Sequence, residues 1–322
     1  MTFSNGIYPF YPQQRKAFVF DVNTIIVIVV FLTLALSFLL ILPGIRGRAR
    51  LYWLLRVLVS LFIGVVIVVV HFTGDWESGQ VTASTPYKSF SRSRVNADIG
   101  LHIGLTGVNV TLIGNPVNQI NETINYNEQF AWWFGADYDK MYSEGLEKGL
   151  PHPILYVAEK FTLESPCAVQ NLYRIAGHYA SATLWVAFCA WLISNMLFSM
   201  PVLVYGGYMS LVTGAFMIFA VLSYSTVRSS PMCTINFGPA SLKITYGASF
   251  WLTLATGLLC LLVGTVVIVL HYLSPSQLKA FFDLSEEETE SLDDMYVNTY
   301  TGDLCEAIDP SPRDFKMTIQ KV

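Results

Sequence analysis

The stretch Val108–Thr123, VNVTLIGNPVNQINET, carries two N-glycosylation acceptors, Asn109-Val110-Thr111 and Asn121-Glu122-Thr123. Sugar is transferred to such tripeptides only in the secretory lumen, so a loop that uses either one faces outward. Both lie in one polar loop, from about Gly74 to Gly177, between two apolar segments. The side on which that loop sits sets the topology of everything else.

The chain has 322 residues, of which 53% are hydrophobic and 13% charged, with mean hydropathy +0.48. Those values belong to a polytopic membrane protein. A helix needs roughly 20 apolar residues to cross a bilayer. Five segments qualify: Val22–Leu42, Leu51–His71, Tyr179–Phe198, Val202–Tyr224 and Ala248–Tyr272. The first reads as an uncleaved anchor, because it runs into Leu42-Pro43-Gly44-Ile45-Arg46 without a small-residue cleavage pattern. A net charge of −4 gives no nucleic-acid surface.

Five spans and an outward loop place the N-terminus outside and the C-terminus in the cytosol. Arg46, Arg48, Arg50 and Lys279 agree with positive-inside sorting, while Arg15 and Lys16 oppose it. The expected fold class is a membrane all-α bundle of five transmembrane helices with a small β-rich extracellular domain. Its divisions are an extracellular arm (1–21), helices 1 and 2 (22–73), a glycosylated extracellular domain (74–177), helices 3 and 4 (178–226), an extracellular loop (227–247), helix 5 (248–273) and a cytosolic acidic tail (274–322).

Within the large loop, Ile99, Leu101, Ile103 and Leu105 alternate with smaller or polar residues. After Thr106-Gly107 the alternation resumes at Val108, Val110 and Leu112, which is a hairpin pattern. Asn109 and Thr111 fall on the opposite, wet row. Asp139–Leu150 and Pro153–Phe161 read as short helices. The aromatic run Phe130, Trp132, Trp133 and Phe134 reads as core, with an interface as the alternative. In the arm, Tyr8, Pro9, Phe10 and Tyr11 precede Pro12, and the prolines exclude a helix. The arm is either an unbound terminus or a docking peptide whose stiffness lowers its ordering cost.

Small residues recur at four-residue spacing, Gly206, Ser210 and Gly214 in the fourth span and Ser249, Thr253 and Gly257 in the fifth. They mark close packing inside the bundle. No Asp, Glu, Lys, Arg or His occurs from Tyr179 to Val227, which opposes an ion-coupled transporter. Asn195 is the polar exception and is expected to bond a neighbouring helix. His71 and His178 sit at the outer ends of spans two and three and could approach one another. No phosphate loop, nucleophile elbow or metal-spaced set occurs, so neither catalysis nor a cofactor is expected. Of five cysteines, Cys167 and Cys233 face the oxidising side in this topology, beside the outer ends of a helical hairpin. One disulfide between them is the favoured reading, two free thiols the other.

The chain resembles the dual oxidase maturation factors over most of residues 1–282. The matching stretches include ILPGIRGRAR (Ile41–Arg50), LLRVLVSLFIG (Leu54–Gly64), NETINYNEQF (Asn121–Phe130), LEKGLPHPILYVAEKF (Leu146–Phe161), AGHYASATLWVAF (Ala176–Phe188) and MPVLVYGGYM (Met200–Met209). The arm NGIYPFYP (Asn5–Pro12) leans toward the second vertebrate branch. The resemblance implies five spans and a claudin-like outer domain glycosylated at Asn109 and Asn121. It also implies a non-catalytic escort of dual oxidase, an NADPH oxidase with a peroxidase-like domain, from endoplasmic reticulum to plasma membrane. There it remains bound and supports hydrogen peroxide release. Cys167 and Cys233 match family cysteines. Ser84-Thr85-Pro86 departs from the family, standing where some members carry another sequon. The implied partners are dual oxidase and the bilayer, with a higher-order heteromer left open. The alternative function is a claudin-like or tetraspan adhesion protein.

Overall fold

A computed structural model describes residues 22–41, 49–88, 93–133, 135–165, 169–200, 203–229 and 234–274. The five expected segments are helices: α1 (Val22–Ile41), α2 (Ala49–Phe72), α5 (Val169–Phe198), α6 (Leu203–Ser225) and α7 (Ala248–Leu273). Among the described residues four are long and apolar enough to cross a membrane: Trp53–Phe72 in α2, Asn171–Phe198 in α5, and the whole of α6 and α7. The apolar stretch of α1, Ile25–Leu40, is shorter. Helix α5 has 30 residues, about 45 Å at 1.5 Å per residue. That exceeds the roughly 30 Å of a hydrocarbon core, which leaves its first turns free to pack against the sheet.

The helices meet through the groups the sequence marks. A Cβ on Gly214 would lie 2.8 Å from the Gly257 carbonyl oxygen, so α6 and α7 touch backbone to backbone. Ser210 Oγ donates across that seam to the Cys260 carbonyl at 3.1 Å. Between α2 and α5, Ser60 Oγ donates to Asn195 Oδ1. Trp191 Nε1 returns a bond to the Ser60 carbonyl at 3.1 Å.

The sheet consists of β1 (Glu77–Pro86), β2 (Arg94–Ile103), β3 (Gly107–Gln119), β4 (Glu122–Ala131) and β7 (Thr245–Tyr246), in the order β4-β3-β2-β1-β7. Its paired strands are all antiparallel. A separate pair, β5 (Ile235–Phe237) and β6 (Ala240–Leu242), precedes β7. Alternation sends Ile99, Leu101, Ile103, Val108, Val110, Leu112 and Phe130 to a buried face. Two short helices, α3 (Tyr138–Glu147) and α4 (His152–Glu159), complete this domain.

Several boundaries differ from the sequence reading. Leu105 leaves the strand and sits in the turn, which Gly104 N closes by donating to the Gly107 carbonyl at 2.9 Å. Helix α3 stops before Leu150 because Gly149 adopts φ +68°, a left-handed conformation natural to glycine. Helix α4 starts at His152, with Pro151 setting its entry and Pro153 in its first turn. The loop at 227–247 carries three short strands, too brief to show periodicity. The aromatic run divides: Phe130 and Trp132 are core, Trp133 is 55% exposed, and Phe134 lies outside the described residues.

Candidate functional site

The junction between the sheet domain and the helix ends is the most elaborately built region. Trp76, which follows α2, donates from Nε1 to the Val70 carbonyl at 2.8 Å, capping the helix that delivers it. Its ring lies 4.9 Å from Tyr224 of α6 and 6.4 Å from Phe250 of α7. Tyr224 neighbours Tyr173 of α5 at 6.3 Å, and Tyr173 stacks on Trp132 at 6.3 Å. Phe161, just past α4, lies 6.2 Å from Trp132 and 6.0 Å from Tyr173. One aromatic chain thus links β4, α4, α5, α6 and α7. Aromatic pairs at these separations add about 0.5–1.5 kcal/mol each beyond burial.

Polar anchors fix that chain. Glu77, the first residue of β1, is fully buried and accepts from the Tyr173 hydroxyl at 2.5 Å. The β2–β3 turn presses on α5 at Gly177, and Trp132 Nε1, just past β4, donates to the Leu105 carbonyl at 3.0 Å. Gly177 lies so close to that carbonyl that no Cβ would fit. Gly247 N donates to the Trp76 carbonyl at 2.9 Å, and Ser249 N to the Asp75 carbonyl at 3.2 Å. The loop before α7 is thereby tied to the strand after α2.

The opposite face of the sheet is polar. His102 Nδ1 meets Asp75 Oδ1 at 2.7 Å. The His102 hydrogen bond holds the Asp75 carboxyl below its ordinary range, against the opposing effect of partial burial. Thr82 Oγ1 donates to Asp98 Oδ1 at 2.5 Å. At the far end of the buried face, by contrast, the Tyr87 and Tyr126 hydroxyls lie 3.0 Å apart, and nearby Lys88 Nζ reaches Glu122 Oε1 at 2.6 Å. Burial, then the Tyr126 hydrogen bond, holds the Tyr87 hydroxyl well above the usual phenol range.

Asn109 sits on this polar face mid-way along β3, paired with His102 on β2 and Gln129 on β4. Asn121 is exposed at the β3–β4 corner with φ +59°. Cys167, Cys233, Tyr8, Pro9, Phe10 and Tyr11 lie outside the described residues. His71 packs its ring 5.0 Å from Trp185, with Nδ1 3.5 Å from Ser181 Oγ, while His178 is exposed. Sequence reasoning missed Glu77 and Tyr173. A single acid in a polar loop gives no sign of burial, and their contact spans 96 residues of chain.

The junction is scaffolding built to hold a sheet on a helix bundle, and kinship says in which family such scaffolding occurs. The model of the family described as "DuoxA: Dual oxidase maturation factor" matches residues 10–286. The chain belongs to the dual oxidase maturation factor family. It is 58% identical to dual oxidase maturation factor 2 of Mus musculus over 288 residues, covering 89% of this chain and 90% of that protein. Its identity to factor 2 of Homo sapiens is 55%, with the same coverage. Factor 1 of Mus musculus is 55% identical over 87% of this chain and 82% of that protein. These values lie too close together to assign this family member to one branch.

Proposed function

We propose that this chain is a non-catalytic maturation factor and accessory subunit of a dual oxidase. It would carry the oxidase from endoplasmic reticulum to plasma membrane and support its hydrogen peroxide output. The observation that carries this reading is the family match across residues 10–286. In this reading α1 joins the four longer helices as a fifth span, the arm is extracellular and the tail cytosolic. The sheet domain is extracellular, claudin-like and glycosylated at Asn109 and Asn121. The five-stranded antiparallel sheet seated on the helix ends supports that description.

A Cys167–Cys233 disulfide is part of the proposal. Its support is that the described flanks lie together: Tyr156 of α4 packs edge-on against Phe237 of β5 at 5.4 Å. The arm residues Tyr8, Pro9, Phe10 and Tyr11 are proposed to dock on the oxidase. The outer domain, 74–177, and the loop at 227–247 would present the remaining contact surface.

Co-expression tests the function. Surface dual oxidase and peroxide release should each depend on this chain, and the two proteins should co-purify in detergent. Equal peroxide output with and without the chain would overturn the reading. Endoglycosidase treatment of Asn109→Gln and Asn121→Gln should reveal one lost glycan each. An epitope at the C-terminus should become reachable only after permeabilisation.

A further inference from the structure

The long helices carry exposed aromatics at both ends. Tyr179 on α5 and Trp251 on α7 are exposed at the end that bears the sheet domain. Tyr205 and Tyr208 on α6 and Tyr272 on α7 are exposed at the other. From Trp251 to Tyr272, α7 rises about 30 Å at 1.5 Å per residue. That is the thickness of a bilayer's hydrocarbon core, and tyrosine and tryptophan gather at its two boundaries. On α5, Tyr179 therefore marks the boundary nearest the sheet domain.

The sheet domain reaches that boundary. Gly177 lies about 3 Å further out along α5 than Tyr179, and it touches the Leu105 carbonyl of the β2–β3 turn. Trp132 holds the same turn twice, from Nε1 to the Leu105 carbonyl at 3.0 Å and from its backbone N to the Thr106 carbonyl at 2.8 Å. Headgroups extend a bilayer by about 5–7 Å beyond the hydrocarbon on each side, so this turn lies at headgroup level. Trp133 is the next residue. Among the described residues it is the most exposed large hydrophobic side chain of the sheet domain. Its backbone is fixed, because Ala136 N donates to the Trp133 carbonyl at 2.9 Å and closes a turn in which Gly135 takes φ +95°. A rigid turn beside the membrane thus presents an indole that the fold leaves uncovered.

We infer that Trp133 anchors the sheet domain to lipid: its indole sits among the phospholipid headgroups of the adjacent leaflet, at the level of Tyr179 and Trp251, and sets the depth of the sheet over the bilayer. Indole suits that layer because its ring is apolar while its N–H donates to lipid phosphate or carbonyl oxygens. Charge bears on which lipid. Asp137 and Asp139 stand against Lys140 at the start of α3, so the site has no positive excess to draw an anionic surface. A zwitterionic headgroup suffices. The domain is then held at two places, by the helix ends around Trp76 and by lipid at Trp133. This anchoring requires that α5 and α7 cross the bilayer and needs no partner protein.

The experiment uses the full chain, without any oxidase, in phosphatidylcholine nanodiscs, as wild type and as Trp133→Phe. The difference between their emissions isolates Trp133 from the rest of the seven tryptophans. A phosphatidylcholine with a nitroxide on its headgroup should quench that difference at least two-fold more than aqueous iodide does, and more than a lipid brominated deep in its chains. Stronger quenching by iodide overturns the anchor and makes Trp133 a solvent-facing contact for a protein partner. Strongest quenching by the deep bromines overturns the headgroup placement. A second measurement needs no variant. A phosphatidylcholine carrying a photoactivatable diazirine on its headgroup is irradiated with the wild-type chain in the same discs, and labelled peptides are read by mass spectrometry. Label is expected on the peptide that contains Trp133. Label confined to α5 and α7 overturns the inference while leaving the membrane crossing of those helices intact.

Discussion

Helices α1 and α7 are both predominantly apolar, yet they are used in opposite ways. α7 buries Ser249, Phe250, Thr253, Thr256, Gly257, Cys260, Gly264 and Val267. α1 exposes most of its described side chains, from Ile25 to Leu40, and meets α2 through contacts such as Phe38 on Trp53 at 6.1 Å. The difference follows from composition. α7 and α6 place small residues on one stripe each, so backbones approach and hydroxyls reach carbonyls. α1 has no glycine, and its bulky residues surround the helix. In lipid, where tails are as apolar as leucine, hydrophobicity alone gives no reason for helices to associate. Small residues decide which ones do.

The strongest way to break this comparison is to remove the smallness. A Cβ at Gly214 already meets the Gly257 oxygen at 2.8 Å and Leu261 at 3.0 Å. Gly214→Leu should therefore separate α6 from α7, beyond the roughly 1–3 kcal/mol of ordinary overpacking. The expected outcome is loss of the folded detergent-soluble species in size-exclusion chromatography. Gly257→Leu should match it, because each intrudes on the same seam.

Next in size is the junction. Tyr173→Phe keeps the ring in its aromatic chain and deletes only the hydroxyl donated to Glu77. A hydrogen bond contributes about 0.5–1.5 kcal/mol net, and its removal leaves a fully buried Glu77 oxygen less satisfied, at a cost of about 1–3 kcal/mol. Thermal unfolding followed by tryptophan fluorescence should shift down by several degrees. An unchanged midpoint would show that the aromatic stack alone seats the sheet.

These two sites were unequally legible. The small-residue stripes, the apolar spans and the β2–β3 alternation are periodic, so local sequence carries them. That Asn195 bonds a neighbouring helix was legible too, because an amide inside an apolar helix needs a partner; which helix, α2 through Ser60, was not. The Glu77–Tyr173 bond and the β1–β7 pairing join residues 96 and 167 positions apart. No local pattern encodes such closures. The aromatic run Phe130–Trp133 shows the same limit within four residues. Strand alternation turns Trp132 inward and Trp133 outward, and composition cannot say where the strand starts.

A smaller effect is expected at the Asp75–His102 clasp, which lies on the sheet's polar face with side chains 45% and 39% exposed. Solvent screening limits such a pair to about 0–1 kcal/mol. The Asp75 carboxyl is depressed in the folded state from 3.8. A depressed carboxyl contributes stability that is complete above its unfolded value and lost as pH falls through its folded value. Asp75→Asn should therefore lower the melting midpoint slightly near neutrality. The gap from wild type should persist in mild acid and close only as pH falls below 3.8. A gap that widens in acid would mean that the pair does not hold Asp75 ionised.

The smallest effect belongs to α1. Leu36 is 52% exposed on a helix surrounded by its own bulky side chains. Truncating a buried leucine typically removes about 2–5 kcal/mol, because atoms leave a packed site and a cavity remains. At Leu36 neither condition holds. With α1 as the fifth span proposed above, the side chain would face acyl chains in the assembled bundle and equally when α1 is detached, so its transfer free energy would cancel between the two states. Leu36→Ala should shift the detergent melting midpoint by less than the equivalent of about 0.5 kcal/mol. Ala220, by contrast, is fully buried in α6, and Ala220→Leu should be disruptive in the same assay. If Leu36→Ala proved as damaging as a core truncation, α1 would be packed on a second face, and the contrast between α1 and α7 would fail at its premise.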